Sequence, residues 1–185
     1  MLFIFEGPDG SGKSTLIGKL TARLVELGRS PVVRHHGAYI GEGLIAHHYF
    51  DSVYEALNGG CVVMDRSWLA EPIYSRAMRG GSQRLPWEWE AFEHLAGQAG
   101  AVVVVCLPPF EACRAAWESR RASEYPDDEA KLRAVYDGYA RSIAKWSREY
   151  PTVLYDRTVD PLAEVTIASA LRLSEFVAAP AEGAK

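Results

Sequence analysis

The sequence predicts a three-layer α/β fold, in which a central parallel sheet is covered by helices on both faces. Two observations support this prediction. Apolar runs alternate along the chain with segments of helical periodicity, which is the pattern of parallel strands joined by crossover helices. Residues 101–107 also contain four consecutive valines, and an uninterrupted apolar run of this kind is typical of a strand buried on both faces.

Five apolar runs are predicted to be the strands of this sheet. Each is short and is separated from the next by a segment with helical spacing. The predicted strands cover residues 2–5, 31–34, 61–64, 101–107 and 152–155. Because ligands of parallel sheets bind beyond the carboxyl ends of the strands, we expect the functional residues to follow these runs.

Apolar residues at helical spacing predict the connecting helices. In the first helix, the leucines at 16, 20, 24 and 27 lie on one stripe, and Gly28 provides the stop. The next helix ends at the turn-forming sequence Asn-Gly-Gly of residues 58–60. The predicted helices cover residues 13–27, a segment within 42–57, then 68–79, 86–97, 109–121, 128–148 and 161–176.

Length and composition indicate a single globular domain. The chain has 185 residues, of which 48% are hydrophobic and 24% charged. We expect one domain over residues 1–177 and a flexible tail over 178–185. No apolar run approaches the ~20 residues of a membrane span, and no signal peptide precedes the first strand. We therefore expect a cytoplasmic protein that does not contact membranes.

Charge and cysteine usage narrow the class of protein further. The net charge of −4 lacks the basic excess of a duplex-DNA-binding protein, although local arginine clusters could still bind phosphates. The sequence contains three cysteines, Cys61, Cys106 and Cys113, without a paired spacing. We expect them to be buried free thiols in a reducing compartment.

A glycine-rich stretch follows the first predicted strand. Residues 7–14 match the pattern G-x-x-x-x-G-K-[ST] in full, and we call them the P-loop. Its glycines let backbone N–H groups point at phosphate oxygens, and the helix N-terminus adds partial positive charge. We expect Lys13 to reach the β- and γ-phosphates of ATP and the Ser14 hydroxyl to hold Mg²⁺. The predicted ATP-binding residues are Gly7, Pro8, Asp9, Gly10, Ser11, Gly12, Lys13, Ser14 and Thr15.

Several classes of protein share this loop, and the sequence separates them. A signalling GTPase would carry a base-reading N-K-x-D motif, which does not occur, and a D-x-x-G switch after the third predicted strand, where the chain instead runs Asp-Arg-Ser-Trp. A large motor ATPase would need a longer chain. A compact kinase for a small acceptor is the interpretation that is left, with a non-catalytic nucleotide-binding module as a further alternative.

Two stretches resemble the thymidylate kinase family of P-loop kinases. Residues 5–15, FEGPDGSGKST, are similar to the family's opening loop, in which Asp-Gly lies inside the motif. Residues 62–66, VVMDR, are similar to the family's strand that ends in Asp-Arg. Residues 65–67, Asp-Arg-Ser, are also similar to the Glu-Arg-Ser motif of deoxyribonucleoside kinases, which have the same fold.

The resemblance continues in the later part of the chain. Tyr74 falls at a family tyrosine, and Arg120 and Arg121 with the acidic run behind them resemble the family's mobile lid, here residues 119–128. The resemblance implies a P-loop kinase fold with a small helical lid and with ATP and Mg²⁺ as cofactors. It also implies transfer of the γ-phosphate to a pyrimidine deoxynucleotide, and it makes a homodimer a further expectation.

Charged residues next to the predicted strands are the candidates for catalysis. Asp65 could hold Mg²⁺ through water or orient the acceptor, or it could only cap the next helix. Arg66 could clamp an acceptor phosphate or form a structural salt bridge. Arg120 and Arg121 could neutralise charge on the transferring phosphoryl group or be solvated surface charges. The predicted catalytic residues are Lys13, Asp65, Arg66, Arg120 and Arg121, and the predicted metal ligands are Ser14 and Asp65.

A second group of residues is predicted to bind the acceptor. Glu71 lies one turn beyond Ser67, where it could act as a general base or be an exposed helix residue. His36 could bind phosphate or act as a base near neutral pH. Four aromatic residues could stack on a base or belong to the core: Trp68, Tyr74, Trp87 and Trp89. The predicted acceptor-binding residues are Arg34, His36, Arg66, Glu71 and Tyr74.

The segment after the second strand departs from the family pattern. The family usually carries an Arg-Glu-Pro-Gly-Gly-type segment that helps to place the acceptor, whereas residues 34–38 are Arg-His-His-Gly-Ala. Two acceptors therefore stay open. One is a free pyrimidine deoxynucleotide, and the other is the hydroxymethyl group of 5-hydroxymethyluracil in DNA, which divergent phage kinases similar to this family phosphorylate. Residues 65–80 resemble such phage chains, which would work in the host cytoplasm.

Overall fold

The computed structural model describes residues 1–36, 45–82, 85, 88–120 and 126–178. In this part of the chain the strands are Leu2–Glu6 (β1), Pro31–His35 (β2), Cys61–Asp65 (β3), Ala101–Cys106 (β4) and Thr152–Tyr155 (β5). The helices are Lys13–Glu26 (α1), Ile45–Leu57 (α2), Glu71–Met78 (α3), Trp89–Gln98 (α4), Phe110–Glu118 (α5), Glu129–Glu149 (α6) and Glu164–Ala178 (α7). Arg121, Trp87, half of the predicted lid and residues 179–185 lie outside the described residues.

The strands form one parallel sheet, in the order β2-β3-β1-β4-β5. Phe5 of β1 is in register with Asp65 of β3, and Asp65 is in turn in register with His35 of β2. The predicted three-layer fold is confirmed. Since β1 and β3 are neighbours and point the same way, the P-loop and the residues after Asp65 emerge side by side at one edge of the sheet.

Each face of the sheet has its own apolar core, because alternate strand side chains point to opposite faces. The first face packs against α2, α3, α4 and α6, and the second against α1 and α7. The predicted stripe of α1 is buried at Leu16, Leu20 and Leu24, whereas Leu27 lies just past the helix end and is exposed. The central strands β1, β3 and β4 are buried along their whole length. This burial explains their uninterrupted apolar sequence.

The starts of two helices differ from the sequence prediction for a clear local reason. The helix predicted over 68–79 is divided into a 3₁₀ turn, Trp68–Ala70, and α3. The Ser67 hydroxyl accepts a hydrogen bond from Leu69 N at 3.1 Å, and Pro72 in the first turn of α3 suits a new helix start rather than a helix interior. Helix α7 begins at Glu164 rather than 161, after Ala163 in the left-handed region at φ 63°.

The three cysteines are buried free thiols, as the sequence predicted. Burial raises the pKa of Cys106 and of Cys113 to about 12. Among the described residues, none of the helices combines the length and the apolar character that crossing a membrane would require.

Candidate active site

The P-loop lies in close contact with β4 and α5, and two of its glycines are required by that contact. Gly10 has φ 76°, and a Cβ at this position would lie 2.4 Å from the Cys113 carbonyl oxygen of α5. Gly7 has φ 148°, and a Cβ there would lie 2.2 Å from the Cys106 carbonyl oxygen. A side chain at either position would therefore strain the backbone of the loop and collide with a neighbouring carbonyl oxygen.

The P-loop folds around the side chain of Lys13. It is buried in the first turn of α1, and its Nζ donates hydrogen bonds to the carbonyl oxygens of Gly7 at 2.9 Å and Pro8 at 3.2 Å. Burial lowers the pKa of Lys13, and the nearby charge of Arg66 acts in the same direction. The loop therefore wraps around a desolvated ammonium group, which suits a phosphate-binding lysine.

The start of α1 is open to an anion. Gly12 precedes the helix and has no side chain with which to cap its first N–H groups, so these donors and the helix dipole can face a bound phosphate. The side chains of Ser14 and Thr15 are exposed in the same turn. A hydroxyl in this position can reach a metal ion that accompanies the phosphates.

Arg66 connects the P-loop with two helices. Its NH1 group donates to the Gly7 carbonyl oxygen at 3.1 Å, to the Tyr74 hydroxyl at 2.7 Å and to the Tyr139 hydroxyl at 3.3 Å. Its NH2 group forms an ion pair with Asp9. The backbone of Arg66 lies in the left-handed region at φ 73°, a strained conformation of the kind found at functional sites. The ion pair with Asp9 means that the structural salt bridge considered for Arg66 is present in the structure.

Asp65 is buried at the carboxyl end of β3, with 5% of its surface exposed. Its Oδ2 is 2.8 Å from His35 Nδ1, whereas its Oδ1 accepts no hydrogen bond from the described residues. A buried carboxylate oxygen without a donor is costly unless something else binds it. Ser67, rather than Asp65, caps the next turn. This geometry fits a carboxylate that binds a hydrated cation or orients an acceptor.

The other predicted acceptor-binding residues have separate partners. Arg34 is exposed and pairs with Glu55 of α2 at 2.9 Å. Glu71 is buried and pairs with Arg79, so it is not an exposed helix residue. Tyr74 is part of the Arg66 cluster. The structure therefore brings together four of the predicted site residues around the P-loop: Lys13, Asp65, Arg66 and Tyr74. Arg34 and Glu71 instead form ion pairs away from the loop.

His36 lies at the end of β2 beside α2. Its Nε2 is 3.2 Å from the Ser52 hydroxyl, and its ring centroid is 4.8 Å from that of Tyr49. Burial lowers the pKa of His36 to about 4. The imidazole is therefore neutral at physiological pH, and it could hydrogen-bond an acceptor but would not attract a phosphate by charge.

Arg120 lies directly after α5 and is exposed, and its backbone N–H donates to the Trp117 carbonyl oxygen at 2.9 Å. Trp117 in turn donates from its Nε1 to the Pro126 carbonyl oxygen at 2.8 Å. Helix α5, which packs against Gly10, therefore also holds Pro126, a residue of the predicted lid.

Two of the stacking candidates, Trp68 and Trp89, are tryptophans that belong to packed clusters. Trp68 is fully buried and stacks on Phe92 with ring centroids 5.1 Å apart. Trp89 donates to Glu93, and the Lys145 ammonium lies 5.4 Å from its ring centroid. Trp68 is therefore a core residue and not one that stacks on a base.

Two further residues of the site were missed by sequence reasoning. Glu6, the last residue of β1, is fully buried directly before the P-loop. Arg157 follows β5, its Cδ lies 3.0 Å from where a Cβ at Gly12 would be, and its NH2 donates to the Ala112 carbonyl oxygen at 2.7 Å. Both residues stand at the carboxyl end of a strand, the position at which parallel sheets bind ligands, and this signal could have identified them.

The fold and the loop together define the class of protein. It is an α/β protein whose parallel sheet carries a P-loop at its carboxyl edge. No model of a protein family matches the chain, and neither does any curated protein. Solved structures do match. The YorR protein of Bacillus subtilis, solved in complex with phosphorylated GDP, is 19% identical, with 95% of this chain and 98% of that chain covered and a TM-score of 0.70.

Deoxyadenosine kinase from M. mycoides is also similar. Its complex with the products dCMP and dCDP is 14% identical, with 95% of this chain and 100% of that chain covered and a TM-score of 0.59. Its complex with dCTP is 12% identical, with 91% and 96% covered and a TM-score of 0.56. At these identities the likeness establishes the fold, which this chain shares with both of these proteins.

Proposed function

We propose that the protein is a Mg-ATP-dependent phosphotransferase that moves the γ-phosphoryl group to a free deoxynucleoside-type acceptor, either a deoxynucleoside or its monophosphate. The observation that carries the proposal is the cluster of Lys13, Asp65 and Arg66 around a complete P-loop. The kinases that share the fold support it. Phosphoryl transfer requires mainly positioning and charge neutralisation, and this cluster supplies both from the first turn of α1 and the carboxyl end of β3.

The donor would bind along the P-loop. Backbone N–H groups and the open start of α1 face the phosphates, and Lys13 neutralises charge on them. Ser14 and Asp65 would hold Mg²⁺, which when bound neutralises the β- and γ-phosphate oxygens. The unpartnered Oδ1 of Asp65 and the exposed Ser14 hydroxyl fit this assignment.

Asp65 and Arg66 support the acceptor side of the proposal. A hydroxyl acceptor needs a base to take its proton, and Asp65 could take that role only where Ser14 alone holds the metal ion, because a carboxylate that neutralises Mg²⁺ is a poor proton acceptor. An acceptor phosphate would instead have to compete with Asp9 for Arg66, because these two side chains are already paired. This pairing favours a deoxynucleoside hydroxyl over a monophosphate. A pyrimidine base and a hydroxymethylated base within DNA stay predictions from the family resemblance.

The test is transfer of label from γ-labelled ATP in the presence of Mg²⁺ to a divided acceptor panel. The first part contains free deoxynucleosides, the second their monophosphates, and the third DNA with thymine or 5-hydroxymethyluracil. Label on the first or second part supports the proposal and separates its two forms. Label on modified DNA alone, or tight ATP binding without transfer to any acceptor, would contradict it.

A matched pair of lysines controls the assay. Lys13→Ala should lower transfer by a factor of about 10³ or more, because its charge on the phosphates is lost. Lys19 lies on the same helix, and within the described part of the chain it donates only to the Pro161 carbonyl oxygen on the protein surface, so Lys19→Ala should leave transfer unchanged. Equal activity of the two variants would remove Lys13 from the mechanism.

A further inference from the structure

Glu6 is a buried acid to which the proposed mechanism gives no task. It is fully buried, and it is the last residue of β1, directly before the P-loop. Buried carboxylates are rare unless they are well hydrogen-bonded, because an ionised carboxylate loses its hydration on burial. Its surroundings therefore need an explanation.

Three hydrogen bonds surround the carboxylate. Glu6 Oε1 accepts from the Ser67 backbone N–H at 2.9 Å and from the Ser67 hydroxyl at 2.7 Å. Glu6 Oε2 accepts from the Tyr139 hydroxyl at 3.1 Å. The first two bonds fix the residue that follows Arg66, and the third reaches across the fold to α6.

The direction of these bonds matters for Arg66. The Tyr139 hydroxyl has one hydrogen, and it donates this hydrogen to Glu6, so its oxygen is free to accept from Arg66 NH1 at 3.3 Å. A neutral Glu6 would carry a hydrogen of its own and could not accept from all three donors. The ionised carboxylate therefore fixes the orientation of the hydroxyl that receives the guanidinium.

We propose that Glu6 is a positioning residue, which holds Arg66 in place through Ser67 on one side and Tyr139 on the other. Glu6 does not touch the reacting groups. Glu6 fixes the backbone of Ser67, just after the left-handed Arg66, and it fixes the Tyr139 hydroxyl that the Arg66 side chain contacts. Arg66, which is proposed to face the acceptor, is therefore held in place by β1, the strand that leads into the P-loop. The catalytic half of this proposal rests on the proposed function.

The charge of Glu6 should then couple to the site across neutral pH. Burial raises the pKa of Glu6 to about 7, against the opposing effect of the Ser67 and Tyr139 hydrogen bonds and the charges of Arg66 and Lys13. The other titratable groups that face it are Tyr74 of α3 and Cys106 of β4. Burial raises the pKa of both of these groups far above neutrality, so they stay uncharged in the same range.

Kinetics test the positioning role with a matched pair of tyrosines. Glu6→Gln and Tyr139→Phe should each lower kcat/KM for the acceptor by roughly 10- to 100-fold, as loss of a supporting hydrogen bond does at other sites, and should leave the dissociation constant for ATP within about twofold. Tyr150 is a buried tyrosine whose hydroxyl has no partner among the described residues. Tyr150→Phe should therefore be silent. Equal kinetics of Tyr139→Phe and Tyr150→Phe would overturn the proposal.

A second readout needs no catalysis. The Nε–Hε NMR signal of Arg66, assigned by its loss in Arg66→Lys, should shift with pH around a midpoint near 7 in the parent protein, and this shift should be absent in Glu6→Gln. A pH-dependent Arg66 signal in a protein that labels no acceptor would reject the proposed function and keep the positioning role. An Arg66 signal that behaves alike in the parent and in Glu6→Gln would overturn the positioning role, whatever the activity.

Discussion

Asp9 of the P-loop and Arg66 after β3 form an ion pair in which each side chain is only 13% exposed. The pair joins the loop that is proposed to hold the donor to the residue that is proposed to face the acceptor. Solvent screens a pair at this depth less than a surface pair, and an unpaired Arg66 would keep a poorly hydrated charge.

Asp9→Asn should therefore destabilise the fold measurably. We expect a loss of roughly 1–3 kcal/mol in the free energy of unfolding, measured by urea denaturation, because Arg66 keeps its other partners but loses its counter-charge. The control is Asp137→Asn, which breaks the exposed pair with Arg133 on α6 and should cost less than about 0.5 kcal/mol. Equal losses in the two variants would mean that the Asp9 pair behaves as a surface pair.

Gly10→Ala should disrupt the P-loop. The substitution strains a residue at φ 76° and brings a Cβ to within 2.4 Å of the Cys113 carbonyl oxygen, which should cost about 2 kcal/mol or more and weaken ATP binding. Gly18→Ala is the matched control on α1, because no heavy atom of the described residues lies within 4 Å of a Cβ there. That variant should gain about 0.5–1 kcal/mol of stability. Unfolding and ATP titrations on both variants check the prediction.

Glu6 should make stability depend on pH in a definite direction. Because burial raises its pKa from 4.5 to about 7, the folded state holds this proton more tightly than the unfolded state. The stabilising contribution is complete below pH 4.5 and is lost as the pH rises through 7. Relative to Glu6→Gln, the parent protein should lose about 2–3 kcal/mol between pH 5 and 8.5. Parallel stability curves for the two proteins would contradict this.

Gly138 of α6 should be intolerant of alanine because of α3. A Cβ at position 138 would lie 2.6 Å from Ile73 Cγ2, so Gly138→Ala should cost about 1–3 kcal/mol by overpacking. In an Ile73→Ala background, which removes the opposing methyl group, the same substitution should cost clearly less. Additive losses in this double-mutant cycle would show that the two helices adjust without strain.

The sheet and the P-loop could be predicted from the sequence because both depend on local patterns. A buried parallel strand must be apolar along its whole length, as β4 is, and the glycines of a phosphate-binding loop are required by its backbone. The cluster of Lys13, Asp65 and Arg66 followed from topology, since neighbouring parallel strands end at the same edge.

The partners within the site could not be predicted in the same way. Sequence spacing does not reveal that Asp9 neutralises Arg66, or that Glu6 reaches Tyr139, a residue 133 positions away. Arg34 illustrates the opposite case, because its position at the end of the second predicted strand suggested the site, whereas the side chain pairs with Glu55 at the surface. Such pairings depend on side-chain geometry that only the packed fold determines.

Because all three cysteines are buried, the protein can be labelled at a single introduced cysteine to follow movement of the predicted lid. A thiolate is the reactive form of cysteine, and burial raises the pKa of Cys106 and Cys113 to about 12 and also raises that of Cys61. Thiol-reactive dyes should therefore spare the native chain. A cysteine introduced at Ser119, in the first turn after α5, could carry a single fluorophore and report on the predicted lid in solution while all three native cysteines stay in place.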